Sequence, residues 1–202
     1  MLKSLRGVLT KVITPLADLL LRRGVSPDAV TITGAAVVVA AALWLFPTGH
    51  LLAGSIVTGV FVMTDAIDGT MARRSGKSGP WGAFLDSTLD RVADAAIFAG
   101  LVLWFAGTGD DRLTMALALA CLVLGSLVPY ARARAEGLGM TATVGVAERA
   151  DRLLAVLLAT LLVGAGLPLA VLTVTLALLA VASAVTIVQR MATVRRQAEV
   201  SA

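Results

Sequence analysis

Cysteine and histidine each occur once in the 202 residues, and charged side chains make up only 15% of them. A lone Cys121 inside an apolar run excludes a disulfide within the chain and argues against a Cys-based zinc site, so it reads as a small buried apolar side chain. His50 falls in a short loop at 47–50, on the far side of the chain from the acidic residues described below, and reads as a solvated loop residue. No internal repeat and no low-complexity tract is present beyond richness in Leu, Ala and Val, so residues 1–202 are expected to form one domain. The shortage of charge beside 58% hydrophobic residues and a mean hydropathy of +0.90 lies outside the usage of soluble domains. Water is not the main solvent of this chain.

Apolar runs recur at 29–46, 51–63, 95–106, 113–129, 153–163 and 167–188. Several reach or approach the roughly 20 residues that a helix needs to cross a bilayer. The shorter runs 51–63 and 95–106 fit that length only when extended through segments that carry Asp65 and Asp68, and Asp86, Asp90 and Asp94. The expected fold is therefore an all-α integral membrane protein, with a six-helix bundle over 29–193. On this topology fifteen of the seventeen Lys and Arg residues fall on one side of the membrane. The positive-inside bias makes that side cytoplasmic and puts both termini there.

Residues 1–23 contain Leu2, Leu5, Leu9, Val12, Ile13, Leu16, Leu19 and Leu20 at helical spacing, with basic residues between them. They predict an amphipathic juxtamembrane helix, laid on the inner leaflet or packed against the spans, or both. The same segment has no uninterrupted apolar stretch and no cleavage site, so no removable signal peptide is expected. Ser26-Pro27-Asp28 then predicts a helix start, with Ser26 as N-cap and Pro27 at the first helical position.

Four carboxylates sit where two hydrophobic spans meet the cytoplasmic face. Retaining one Asp at the centre of a membrane helix costs roughly 2.5–3.5 kcal/mol, so several in one small bundle call for a function. Asp65 and Asp68 are three apart and Asp86 and Asp90 four apart, which puts each pair on one helix face. An antiparallel hairpin turning near Lys77 and Ser78 would bring Asp68 level with Asp86, and Asp65 level with Asp90. Converging carboxylates need cations, and an all-oxygen site suits Mg²⁺, with Mn²⁺ as a substitute. Gly69 and Gly82 beside them allow a bulky polar ligand to approach, or else serve tight helix packing.

Taken together these residues form the pattern Asp65-x2-Asp68-Gly69-x2-Ala72-Arg73-x8-Gly82-x3-Asp86-x3-Asp90. It resembles the signature of the CDP-alcohol phosphotransferase family at every fixed position. The resemblance implies a homodimer and a site with two metal ions, which transfers a phosphatidyl group from a CDP-lipid and releases CMP. By the same resemblance Asp65, Asp68 and Asp86 are metal ligands, and Asp90 is the general base that also touches metal. Gly69, Ala72, Arg73 and Gly82 are similar to the positions facing the nucleotide; Pro27, Asp28 and Thr31 look like nucleotide contacts by the narrower resemblance given next, with helix capping the other role open to them.

A narrower resemblance, to the actinobacterial phosphatidylinositol phosphate synthases, is carried by four further segments. These are Ser26-Pro27-Asp28, Tyr130-Ala131-Arg132-Ala133-Arg134-Ala135-Glu136, Glu148-Arg149-x2-Arg152-Leu153 and Val188-Gln189-Arg190. It implies CDP-diacylglycerol as donor and inositol 1-phosphate as acceptor. The acceptor's phosphate demands cations, and Arg132, Arg134, Arg152 and Arg190 lie at the cytoplasmic ends of different spans, where they could form one pocket. Positive-inside anchoring to lipid headgroups is the other role open to them. Phosphatidylglycerophosphate synthesis from glycerol 3-phosphate would use the same cations. A divalent-cation or proton transporter would also carry acids within its spans, but the extracellular halves of all six are free of charge and offer no path. Membrane lipids are expected partners, and nucleic acid is not. Asp94 continues the Asp86/Asp90 face one turn deeper but stands outside the signature, as a further supporting acid or the partner of an arginine.

Overall fold

The computed structural model describes residues 13–76, 79–146 and 148–201, and of Asp65, Val200 and Ser201 it describes the backbone alone. Among the described residues the only regular structure is helical. A first helix, α1, occupies 13–22. It is followed by α2 (Pro27–Leu45), α3 (Leu51–Val62), α4 (Asp65–Ser75), α5 (Pro80–Ala106), α6 (Arg112–Glu136), α7 (Arg149–Gly164) and α8 (Ala170–Ser201). Residues 1–12 of the expected amphipathic segment, and the expected turn at Lys77 and Ser78, lie outside the described residues.

Local chemistry sets the helix ends. Ser26 caps α2 as expected, its hydroxyl accepting the Ala29 N–H at 3.2 Å with Pro27 at the first turn. Asp111 caps α6 by accepting the Thr114 N–H at 2.7 Å, and that hydrogen bond holds its carboxyl below the usual carboxylate range. The second apolar segment is not one smooth helix. Thr64 turns its hydroxyl back onto the Phe61 carbonyl at 2.6 Å, and α4 starts afresh at Asp65.

Among the described residues four segments are long and apolar enough to cross a membrane: Pro27–Leu45, Leu51–Ser75, Arg112–Glu136 and Ala170–Glu199. The other two expected spans fall short for physical reasons. Helix α5 has the length but carries Asp86, Asp90, Arg91 and Asp94, whereas α7 is apolar but only 16 residues long. Both are bundled with the rest: α5 packs on α2 and α6, α7 on α3 and α8, and α6 on α8. Phe46, Ile97, Leu101, Val156, Leu172 and Leu176 form the centre of the core. Cys121 is buried there, donating its thiol to the Leu176 carbonyl at 3.2 Å, and His50 is an exposed loop residue, as the sequence suggested.

Lipid is as apolar as leucine, so helices in a bilayer associate through close backbone approach. A methyl group added at Gly100 would overlap the Ala42 carbonyl of α2, and one at Gly164 would overlap the backbone of Leu52. Gly100→Ala should therefore force α2 and α5 apart and cost about 1–3 kcal/mol. A clear fall in the melting temperature of the detergent-solubilised protein is expected, and an unchanged value would contradict this packing. Helix α1 is fastened to the same bundle. Ala17 is fully buried and Asp18 pairs with Arg74 of α4 at 2.5 Å, while Leu16 and Leu19 remain exposed.

Candidate functional site

Because α4 begins at Asp65 and α5 at Pro80, the acidic face of each helix opens onto a common space beside the start of α2. A cavity of about 300 Å³ lies there. Its wall contains Asp68 and Asp86 together with all seven positions expected to face the nucleotide: Pro27, Asp28, Thr31, Gly69, Ala72, Arg73 and Gly82. Asp68 is 5% exposed and accepts a hydrogen bond from the Thr31 hydroxyl at 2.5 Å, which ties α4 to α2. Asp28 is oriented in turn by the Trp81 indole N–H at 3.0 Å. Arg73 is exposed and donates to Thr70 at 3.1 Å. Among the described residues a methyl at Gly82 would meet no atom, and one at Gly69 would meet only the end of Arg73 at 3.5 Å. Helix packing therefore does not demand these two glycines, unlike Gly100, and the room they leave is available to a ligand.

Asp90 lies deeper, in a small recess that also contains Thr31, Phe61, Val62 and Arg149. Its Oδ1 is 2.9 Å from Nη1 of Arg149, the first residue of α7. Arg149 also reaches Asp94, its Nε standing 3.0 and 3.3 Å from the two carboxylate oxygens. Asp94 is thus the partner of an arginine, one of the two roles left open by the sequence. In the sequence Arg149 stands only among the basic residues of one face and within a segment of resemblance. Its contact with Asp90 bridges 59 positions of sequence, and local spacing carries no signal for it.

A second cavity, of about 470 Å³, lies between the ends of α5, α6, α7 and α8. Arg91, Arg132, Arg149, Arg152 and Arg190 line it, against Glu136 and Glu148. Arg132 pairs with Glu136 at 2.8 Å. Arg152 is 4% exposed and donates to the Gly125 carbonyl at 3.3 Å. That carbonyl is available because Pro129, four residues on, has no N–H to offer it. Arg190 is 7% exposed and is held by the carbonyls of Val144, at 3.0 Å, and Val128. Three of the four arginines expected in one pocket therefore meet. Arg134 is not in that wall: it borders an apolar cavity between α6 and α8 with Tyr130, Leu138 and Met191, and Arg190 lines both cavities. Residues two apart on a helix face different ways, which puts Arg132 and Arg134 on different cavities.

Among the described residues no three His, Cys, Asp or Glu side chains form a ready metal cluster, and the side chain of Asp65 is not one of those described. The donor chemistry nevertheless suits a hard cation. Asp68 and Asp86 share the wall of one cavity, and taking such carboxylates from water needs compensating positive charge.

The sequence model of the family described as CDP-alcohol phosphatidyltransferase matches residues 24–188. The phosphatidylinositol phosphate synthase of Streptomyces avermitilis is 48% identical over 96% of this chain and 82% of its own length. That of Cutibacterium acnes is 46% identical over 98% of this chain and all of its own. The crystal structure of the Mycobacterium tuberculosis phosphatidylinositol phosphate synthase with CDP-DAG bound is similar at a TM-score of 0.87 and 44% identity, covering 91% of this chain and 94% of that one. A second structure of that protein, in complex with manganese and citrate, also gives 0.87 at 44% identity, over 90% of this chain and 88% of that one.

Proposed function

The chain belongs to the CDP-alcohol phosphatidyltransferase family, and from that premise we propose that it transfers the phosphatidyl group of CDP-diacylglycerol to inositol 1-phosphate, giving phosphatidylinositol phosphate and CMP. The observation that carries this reading is the linked pair of cavities. Thr31 is common to the first cavity and the recess of Asp90, and Arg149 is common to that recess and the cationic cavity. A donor in the first and a phosphate-bearing alcohol in the second would meet at Asp90. Relatives named as phosphatidylinositol phosphate synthases, and a relative's structure with CDP-DAG bound, support the same assignment.

The residues divide the work as follows. Pro27, Asp28, Thr31, Gly69, Ala72, Arg73 and Gly82 receive the cytidine diphosphate end of the donor, with Arg73 as a fixed fork of phosphate donors. Asp65, Asp68, Asp86 and Asp90 would hold two divalent ions, Mg²⁺ or in its place Mn²⁺, which offset charge on the diphosphate. Thr31 keeps the Asp68 carboxylate oriented through its hydrogen bond. Arg132, Arg152 and Arg190 take the acceptor's phosphate. The acceptor hydroxyl loses its proton to Asp90 as its oxygen bonds to the lipid-side phosphorus, and the bond from that phosphorus to the CMP oxygen breaks with its electron pair.

The same reading takes the protein as one domain over 1–202 and as a homodimer in a bacterial plasma membrane. It has six spans, and both termini and the site face the cytoplasm. The short, apolar α7 and the charged α5 become spans within a bundle that shields them, which an isolated helix could not achieve.

Arg152→Ala tests the acceptor assignment. It should raise the Michaelis constant for inositol 1-phosphate about tenfold or more, the worth of a charged hydrogen bond, and that for CDP-diacylglycerol far less. Equal effects on both would argue against the pocket. The cationic cavity also suits glycerol 3-phosphate, so phosphatidylglycerophosphate synthesis remains the second reading and is separated by a direct comparison of acceptors.

A further inference from the structure

Asp94 stands one turn along α5 from Asp90, outside the eight-position pattern, and the roles assigned above leave it unused. It is not idle in the structure. Asp94 takes Nε of Arg149 through both carboxylate oxygens, and Nη1 of the same guanidinium meets Asp90. The three side chains are mostly withdrawn from solvent, with 17% of Asp94, 23% of Arg149 and 15% of Asp90 exposed. Because the guanidinium is planar and rigid, fixing its Nε edge also fixes the direction of its Nη edge. Arg149 furthermore borders the cationic cavity as well as the recess of Asp90.

We propose that Asp94 is a positioning residue acting through Arg149: it locks the guanidinium so that the proton-accepting carboxylate of Asp90 and the cationic cavity for the acceptor's phosphate are held in one fixed relation. The inference rests on the assignment of Asp90 as base and of a phosphate-bearing acceptor. Without Asp94, Arg149 keeps its charge but can swing toward Asp90 alone or toward the acceptor, and the attacking hydroxyl loses its register with the base. A misplacement of about 1 Å at a reacting centre can cost about 100-fold in rate. A purely architectural ion pair between α5 and α7 would instead show itself in stability.

The test is a double-mutant cycle on the purified full chain in detergent and CDP-diacylglycerol micelles, using Asp94→Asn, Arg149→Lys and the pair together. It reads kcat, both Michaelis constants, CDP-lipid binding and melting temperature. Asn keeps the shape of Asp, and Lys keeps the charge of Arg while losing its two-edged fork. Asp94→Asn should lower kcat about 10- to 100-fold, leaving CDP-lipid binding and its Michaelis constant unchanged. The double variant should be no slower than Arg149→Lys alone, because Asp94 acts only through that arginine. The proposal falls if kcat of Asp94→Asn stays within about twofold of the parent's, if the two losses multiply in the double variant, or if the loss of activity follows loss of folded protein. Failure of the unmutated protein to release CMP with inositol 1-phosphate would remove the proposed function itself, and is read before any variant.

Discussion

Asp90→Asn should reduce turnover by about 100- to 10,000-fold, the usual contribution of a positioned general base, while CDP-lipid still binds. The substitution keeps the volume of the side chain and an oxygen that can accept the Arg149 Nη1 hydrogen, so the recess beneath Thr31 and Phe61 need not rearrange. It removes the capacity to take a proton from the acceptor hydroxyl, and the donor cavity is lined by other residues. Single-turnover CMP release and equilibrium binding of CDP-diacylglycerol separate the two effects. Turnover close to that of the parent would exclude Asp90 as the base, and loss of donor binding would assign it to the donor site.

Removal of divalent metal should have an effect as large. Asp68 and Asp86 line one cavity, and binding a diphosphate there would add negative charge to a wall that is already acidic. Arg73, the one basic residue of that wall among the described residues, cannot balance two carboxylates and a diphosphate. Exhaustive chelation should bring CMP release to background, with recovery on adding Mg²⁺ or Mn²⁺. Asp68→Asn should weaken recovery by raising the metal concentration it requires. Activity that survives chelation would remove the dimetal site from the mechanism.

The parts of this account that were legible in the sequence are those set by local spacing. Asp68 and Asp86 meet because three- and four-residue intervals put each on the inner face of its helix, and Ser26-Pro27 predicts the start of α2 from capping chemistry alone. The parts that were not legible depend on which helix ends come together. Arg149 is 59 positions from Asp90 and 55 from Asp94, and nothing in its neighbourhood distinguishes it from an arginine facing headgroups. Arg134 lies on another face of α6 from Arg132, and the two border different cavities that Arg190 joins. For Arg152 a partial signal existed in Pro129, whose missing N–H leaves the Gly125 carbonyl to be taken by a side chain. Hydropathy alone was a weaker guide for α5 and α7, where charge and shortness mark helices that depend on their neighbours.

The central claim is the reaction, and the most direct measurement is CMP release by the purified protein with CDP-diacylglycerol and Mg²⁺. Inositol 1-phosphate, glycerol 3-phosphate, free inositol and serine are compared as acceptors. Release that depends on inositol 1-phosphate, and is weak with the other three, is the predicted result. Preference for glycerol 3-phosphate would keep the metal site and the cationic cavity but overturn the acceptor, and no release with any of the four would contradict the account.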